Sequence, residues 1–245
     1  MRFASLIFTL LIFVSCSGED ASEKSLVKER FHVEYNGALK NIMKLGDISA
    51  NADLNDFKEI KHFYALGPAE NLKGEILIMD SQPYISSVVD SALSIDHSYA
   101  HKAAMLVYAT VNDWDSFKVP AAIHSYRDLE KYVSETAISN GIEDGEPFPF
   151  LLKGVADTIH WHVINWPEDD DIHTHEKHVD SGLNGTQVGM NVSILGFYSD
   201  HHHAIFTHHS TNMHMHFASK DKSLTGHLDG LVLGNNMTLY LPKLD

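Results

Sequence analysis

Three histidines stand where strand geometry could bring imidazoles to one metal ion. In Asn212-Met213-His214-Met215-His216-Phe217, one residue separates His214 from His216. Residues i and i+2 of a strand share a face, so the two rings project together and Met213, Met215 and Phe217 face the other way, as core. A short polar turn, Ser219-Lys220-Asp221-Lys222-Ser223, leads on to Gly226-His227-Leu228. If that segment returns as the adjacent antiparallel strand, His227 arrives beside the pair. Three imidazoles leave a fourth position for water or substrate, the arrangement of catalytic zinc. Zn2+ is therefore the expected cofactor, held by His214, His216 and His227.

The chain carries 18 histidines, so other clusters compete. His160-Trp161-His162 repeats the spacing on another strand, without a third ligand close behind it. His173, His175 and His178 sit in an acidic stretch and read as solvated. His201-His202-His203 and His208-His209 flank a turn. They read either as exposed loop or as a mouth over the site or a second, looser metal site. Glu75 follows Gly74 and begins the apolar run Ile76-Leu77-Ile78. It is either a carboxylate at a solvated strand edge or an acid or base set into a cleft by a rigid strand. Lys153, between Leu152 and Gly154, poses the same choice: a cation for a substrate carboxylate, or a strand end in water.

The elements that must position these groups follow from pattern. His32–Tyr35 and Ile76–Met79 read as strands, and Leu39–Leu45 and Leu54–Ile60 as short helices, with Asn51 or Asp53 to cap the second. Ala103–Val111 is strand-like. Ser125–Asn140 reads as a longer helix stopped by Gly141. Pro147 and Pro149 bracket a turn or an extended segment. Phe150–Lys153, Asp157–Asn165, Met190–Tyr198, Asn212–Ala218 and Gly226–Leu233 read as strands, and Glu168–Asp171 as an acidic loop. A strand-rich second half after a mixed first half predicts an α+β fold with mixed or antiparallel sheets.

With 245 residues and 44% hydrophobic content the chain can bury a sizeable core. Its net charge of -15 would repel nucleic-acid phosphates, so no nucleic-acid partner is expected. Arg2 followed by the apolar run Leu6–Val14 reads as a secretory signal over residues 1–15, too short to span a bilayer. Ser15-Cys16, with the chain's single cysteine, resembles the lipobox of bacterial lipoproteins. That resemblance implies lipidation at Cys16, a flexible tether over residues 16–30, and an exported protein anchored at the periplasmic face or cell surface. The other reading is plain secretion with an incidental cysteine.

His214-Met215-His216-Phe217-Ala218-Ser219-Lys220-Asp221 with Thr225-Gly226-His227 resembles the acetolactate decarboxylases. Leu195-Gly196-Phe197-Tyr198, Ala65-Leu66-Gly67, Leu72-Lys73-Gly74-Glu75 and Phe148–Lys153 add weaker matches in the same order. The resemblance implies a two-lobed domain over residues 31–245, with lobes of about 31–145 and 146–245. It implies a homodimer, and a zinc enzyme that converts 2-acetolactate, or a related small-molecule 2-hydroxy-3-oxo acid, to acetoin and CO2. His214, His216 and His227 would be the zinc ligands and Glu75 the proton-transferring carboxylate. The family's active-site arginine reads here as Lys153, which keeps the charge and loses the bidentate fork. The sequence ends at Asp245, ahead of the family's C-terminal glutamate. Two other functions fit the same residues: a non-catalytic metal- or ligand-binding surface lipoprotein, and a zinc hydrolase.

Overall fold

A computed structural model describes residues 31–168 and 170–244. The signal, Cys16 and the tether over residues 16–30 lie outside the described residues. In chain order the elements are β1 (Val33–Asn36), α1 (Leu39–Leu45), β2 (Ala52–Asp53), β3 (Phe63–Pro68), β4 (Glu75–Met79), β5 (Gln82–Val89), β6 (Ala92–Asp96), β7 (Lys102–Ala103), β8 (Leu106–Thr110) and β9 (Trp114–Lys118). Then come α2 (Tyr126–Ser139), β10 (Phe148–Val163), α3 (His175–Asp180), β11 (Leu183–Tyr198), β12 (Met213–Ser219), β13 (Thr225–Leu233) and β14 (Thr238–Pro242).

The fold is α+β, built on two six-stranded antiparallel sheets. One has the order β1-β8-β3-β4-β5-β6 and the other β11-β12-β13-β10-β14-β9. β10 also pairs with β11, so β10, β11, β12 and β13 close into a circuit without a free edge. β9 and α2 precede residue 146 yet pack with the second sheet, so the first sheet ends at Thr110.

Local chemistry explains the helices. Ser125 caps α2, with its side chain accepting from the Asp128 N–H and Asp128 reaching back to the Ser125 N–H. Leu129, Val133 and Ala137 recur at helical spacing and are buried. α1 ends at Gly46, whose φ of 64° closes the last turn as a left-handed cap. The helix expected over Leu54–Ile60 is a 3-10 turn over Leu54–Phe57, capped by Asp53. The two strands expected within 150–165 are one 16-residue strand, β10, because residues 154–156 between them stay extended and pair with Met190–Val192 of β11. The run expected over Ala103–Val111 breaks into β7 and β8.

β12 is buried on both faces. Met213, Met215 and Phe217 join a core cluster with Leu129 and Val133 of α2. Full burial of side chains of this size stabilises by roughly 1.5–3 kcal/mol each. On the other face Ala218 joins Leu66, Leu77, Leu195 and Phe197 in the cluster where the two sheets meet. His214 and His216 share that face. They are polar groups in an apolar interior, and such groups need partners.

Candidate metal centre

Strand register assembles the site. Leu195, His216, His227 and His162 stand opposite one another in a row across β11, β12, β13 and β10. Directly opposed residues bring their side chains together, so three imidazoles crowd one patch. Gly226 lets β13 approach β10 closely, since a Cβ there would lie 2.6 Å from the His162 carbonyl oxygen. Glu75, the first residue of β4, arrives from the other sheet. The preceding Gly74 has φ 141°, and a Cβ there would lie 2.1 Å from the Ser86 carbonyl oxygen. The Gly-Glu and Gly-His pairs are thus steric requirements of the two strands that carry the site.

The rings of His214, His216 and His227 lie together, with centroids 5.1 Å apart for His214–His216, 5.3 Å for His216–His227 and 5.1 Å for His214–His227. Glu75 joins them: His216 Nε2 is 3.6 Å from one carboxylate oxygen and His162 Nε2 is 3.6 Å from the other. His208, His214 and His227 each offer one ring nitrogen within 4.8 Å of the other two. His162, His227 and Asp229 form a second such group. His216 is fully buried with neither ring nitrogen in a well-formed hydrogen bond. An unmet polar atom at such depth costs about 1–3 kcal/mol, which a metal ion would offset.

Asp229 organises the far side. It accepts from His162 Nδ1 at 2.8 and 2.9 Å, and its carboxylate is 3.2 Å from His227 Nδ1. His214 Nδ1 is 2.8 Å from the Phe206 carbonyl oxygen and donates to it in the tautomer that fits. These contacts turn Nε2 of His214 and of His227 toward the cluster, as outer partners orient metal-bound histidines.

The electrostatics suit a cation. Burial, and then neighbouring imidazoles, push His214 and His216 well below the usual histidine range. Burial also lowers His227, and takes His208 down to about 3. All four are held neutral, the form that ligates metal. His162 goes the other way. Burial disfavours its charge, but Asp229 and Glu75 outweigh burial and raise it. Burial pushes Glu75 up to about 8, with His162 and the Ile164 N–H pulling against it. Burial works against the Asp229 charge too, yet hydrogen bonds from His162 and His227 hold that carboxyl below its ordinary range.

A cavity of about 380 Å³ opens onto Glu75, His162, His208, His214 and His227. Leu39, Ile42 and Met43 of α1 form an apolar wall with Leu72 and Ile164, and Lys40 and Lys44 stand at its margin. His175, His178 and His209 also line it. This is a small-molecule pocket: apolar walls with a few convergent polar groups.

Lys153 does not reach the site, which corrects the role expected of it. It is exposed, opposite Ser193 and Thr238, with its ammonium 5.1 Å from the Tyr240 ring centroid. Nine residues of strand, about 30 Å, separate it from the cavity end of β10. The basic side chain that β10 delivers is His162. His-x-His spacing had marked His162, but its partners come from a non-consecutive strand and were invisible in the chain order. His160 is exposed beside Thr186, while the β10–β13 pairing is irregular between His160 and Trp161. Asp229 had a legible signal, its i+2 spacing from His227. His208 had none, because it approaches from the loop between β11 and β12.

No family model matches this sequence, and no curated protein matches it. Solved structures do match the fold. Acetolactate decarboxylase from Bacillus subtilis subspecies spizizenii superposes with a TM-score of 0.70 at 13% identity, over 87% of each chain. A Staphylococcus aureus protein of unknown function, described as similar to alpha-acetolactate decarboxylase, gives 0.69 at 15% identity, over 87% of this chain and 86% of that one. The fold is acetolactate decarboxylase-like. The alpha-acetolactate decarboxylase of Bacillus subtilis strain 168 gives 0.67 at 13% identity, with coverage of 87% and 86%. At these identities the acetolactate decarboxylase-like architecture is what is shared, and the chemistry rests on the residues described above.

Proposed function

We propose that this chain is a zinc-dependent carboxy-lyase that converts 2-acetolactate, or a related 2-hydroxy-3-oxo acid, to acetoin and CO2. The observation that carries the reading is the meeting of Glu75 from one sheet with the neutral imidazoles of the other at the end of one cavity. The buried, unmet nitrogens of His216 and the orienting contacts on His214 and His227 fit a metal ion. His214, His216 and His227 would hold it, and zinc supplies a Lewis acid for the negative charge that builds on substrate oxygen.

The chain's own groups do the rest. The apolar wall from α1, Leu72 and Ile164 excludes water around the substrate's alkyl end. His162, with its positive charge favoured by its hydrogen-bonded partner Asp229, faces the substrate's carboxylate. The bond from the carboxylate carbon to C2 breaks, CO2 leaves, and the electron pair moves into the 3-oxo group as an enediolate. Glu75, fixed at the start of β4, gives a proton to C2 and recovers one from solvent. The balance is one substrate anion and one proton in, one acetoin and one CO2 out. The proposal also covers export, anchoring at Cys16 and homodimer formation, which the sequence pattern and the family resemblance support.

The test is acetoin formation from 2-acetolactate by the zinc-loaded chain, against a His214→Ala variant. Catalysed formation by the wild type alone supports the reading. Equal rates for the two, at the spontaneous level, refute it.

A further inference from the structure

We infer that His208 is a fourth imidazole ligand: the resting centre holds its metal with His208, His214, His216 and His227, and His208 is the one that substrate displaces. The inference rests on the metal centre proposed above and goes beyond its three-histidine set.

The geometry carries it. His208 Nε2 lies 3.3 Å from His227 Nε2. Two imidazole nitrogens around one zinc at about 2.0–2.1 Å stand at the corners of a tetrahedron whose edge is about 3.3–3.4 Å. As a direct hydrogen bond the same contact would be long, since N–H bonds to their acceptors cluster near 2.9–3.0 Å. One ring nitrogen from each of His208, His214 and His227 lies within 4.8 Å of the other two, a tighter group than any that includes His216 among the described residues. The His208 ring stands edge-on to both neighbours, with centroids 5.7 Å from His214 and 5.4 Å from His227.

The support of His208 differs from that of the other three. His214, His216 and His227 sit on paired strands. His208 sits outside any strand, between Thr207 and a turn. Among the described residues the only close polar contact of its ring is the 3.3 Å approach to His227. Its loop is nevertheless aimed at the site. Fully buried Phe206, two residues earlier, gives its carbonyl to His214, and the backbones of Ala204 and Ile205 accept from Lys40 and Leu39 of α1. The same loop therefore orients one ligand and supplies another.

Four protein ligands make a closed zinc site, and three with an open position make a catalytic one. A ligand on a loop lets one centre be both. His208 protects the metal in the empty cavity and yields its position to the oxygens of a 2-hydroxy acid, which binds in the cavity that His208 lines.

X-ray absorption at the zinc edge tests this on the full-length zinc-loaded chain. The expected result is four imidazoles in the wild type and three in His208→Ala, with no change in His160→Ala, an exposed histidine off the cavity. Adding 2-hydroxy-2-methylpropanoate to the wild type should remove one imidazole and leave the His208→Ala count at three. Three imidazoles in both proteins overturn the inference while leaving the metal centre intact. Four imidazoles that persist with the hydroxy acid bound overturn the displacement. A wild type that binds no zinc overturns the metal centre and this inference together.

Discussion

Replacing Asp229 with Asn should weaken zinc binding without touching a ligand. The Asp229 carboxylate accepts from His162 Nδ1 at 2.8 and 2.9 Å and stands 3.2 Å from His227 Nδ1. It serves two imidazoles with two oxygens. Asparagine keeps the shape but has one acceptor oxygen, so its amide N–H must face one of the two ring N–H groups. His227 then loses the contact that turns its Nε2 inward. Loss of such an outer partner typically costs 10- to 100-fold in metal affinity, or about 1.4–2.7 kcal/mol at about 1.36 kcal/mol per tenfold step. The side chain is only 14% exposed, so solvent screening leaves most of that effect in place. Competition with a chromophoric chelator measures the affinity, and circular dichroism confirms that the variant is folded. Asp221→Asn is the matched control. It makes the same charge change in the turn between β12 and β13, where Asp221 bonds Ser219 and Ser223. Wild-type affinity in folded Asp229→Asn, or an equal loss in Asp221→Asn, would refute the reasoning.

Other outcomes follow from the same geometry. Glu75→Gln keeps the size of the side chain and removes its proton, so acetoin formation should fall to background while one zinc per chain is retained; loss of zinc instead would make Glu75 a ligand. Lys153→Ala should leave turnover unchanged and stability within about 0.5 kcal/mol, as measured by urea unfolding, because the side chain lies on the surface. Gly74→Ala should cost more than about 1 kcal/mol and depress turnover more than zinc affinity, since the clash with Ser86 displaces Glu75 and not the imidazoles. The metal-free chain should lose stability as pH falls below about 6.5. Folded His178 and His208 stay neutral down to about 3, while the unfolded chain takes up those protons from 6.5 downward. His214, His216 and His227 act in the same direction. Glu75 and His162, with raised values, oppose this slope and are outnumbered. Urea midpoints between pH 7 and 5 check the sign, and a midpoint that rises toward pH 5 would contradict it.

What could be read in the chain order was what strand periodicity and local turns decide. The i, i+2 spacing placed His214 and His216 on one face and Met213, Met215 and Phe217 on the other; the three apolar residues join the core cluster that includes α2, and the two histidines are buried on the opposite face. The polar turn after Ser219 returned His227 opposite His216. Ser125 and Gly141 marked the limits of α2. Pairing between distant strands was not legible. β10 reaches both β11 and β13, and that pairing, not any local motif, sets His162 against His227 and leaves Lys153 on the outside. Hairpin β5–β6 and helix α3 were also missed. β5 carries polar serines on a half-buried strand, and α3 buries no residue, so neither shows a clean apolar period. His208 depended on a loop path that no spacing rule describes.

The central claim is that one metal, held by these imidazoles, runs a decarboxylation with Glu75. Zinc titration into the metal-free chain, with acetoin formation from 2-acetolactate followed at each addition, tests it directly. The account predicts a rate that rises in proportion to zinc and breaks at one equivalent per chain. Zinc that binds to one equivalent with no acetoin above the zinc-free control would contradict it.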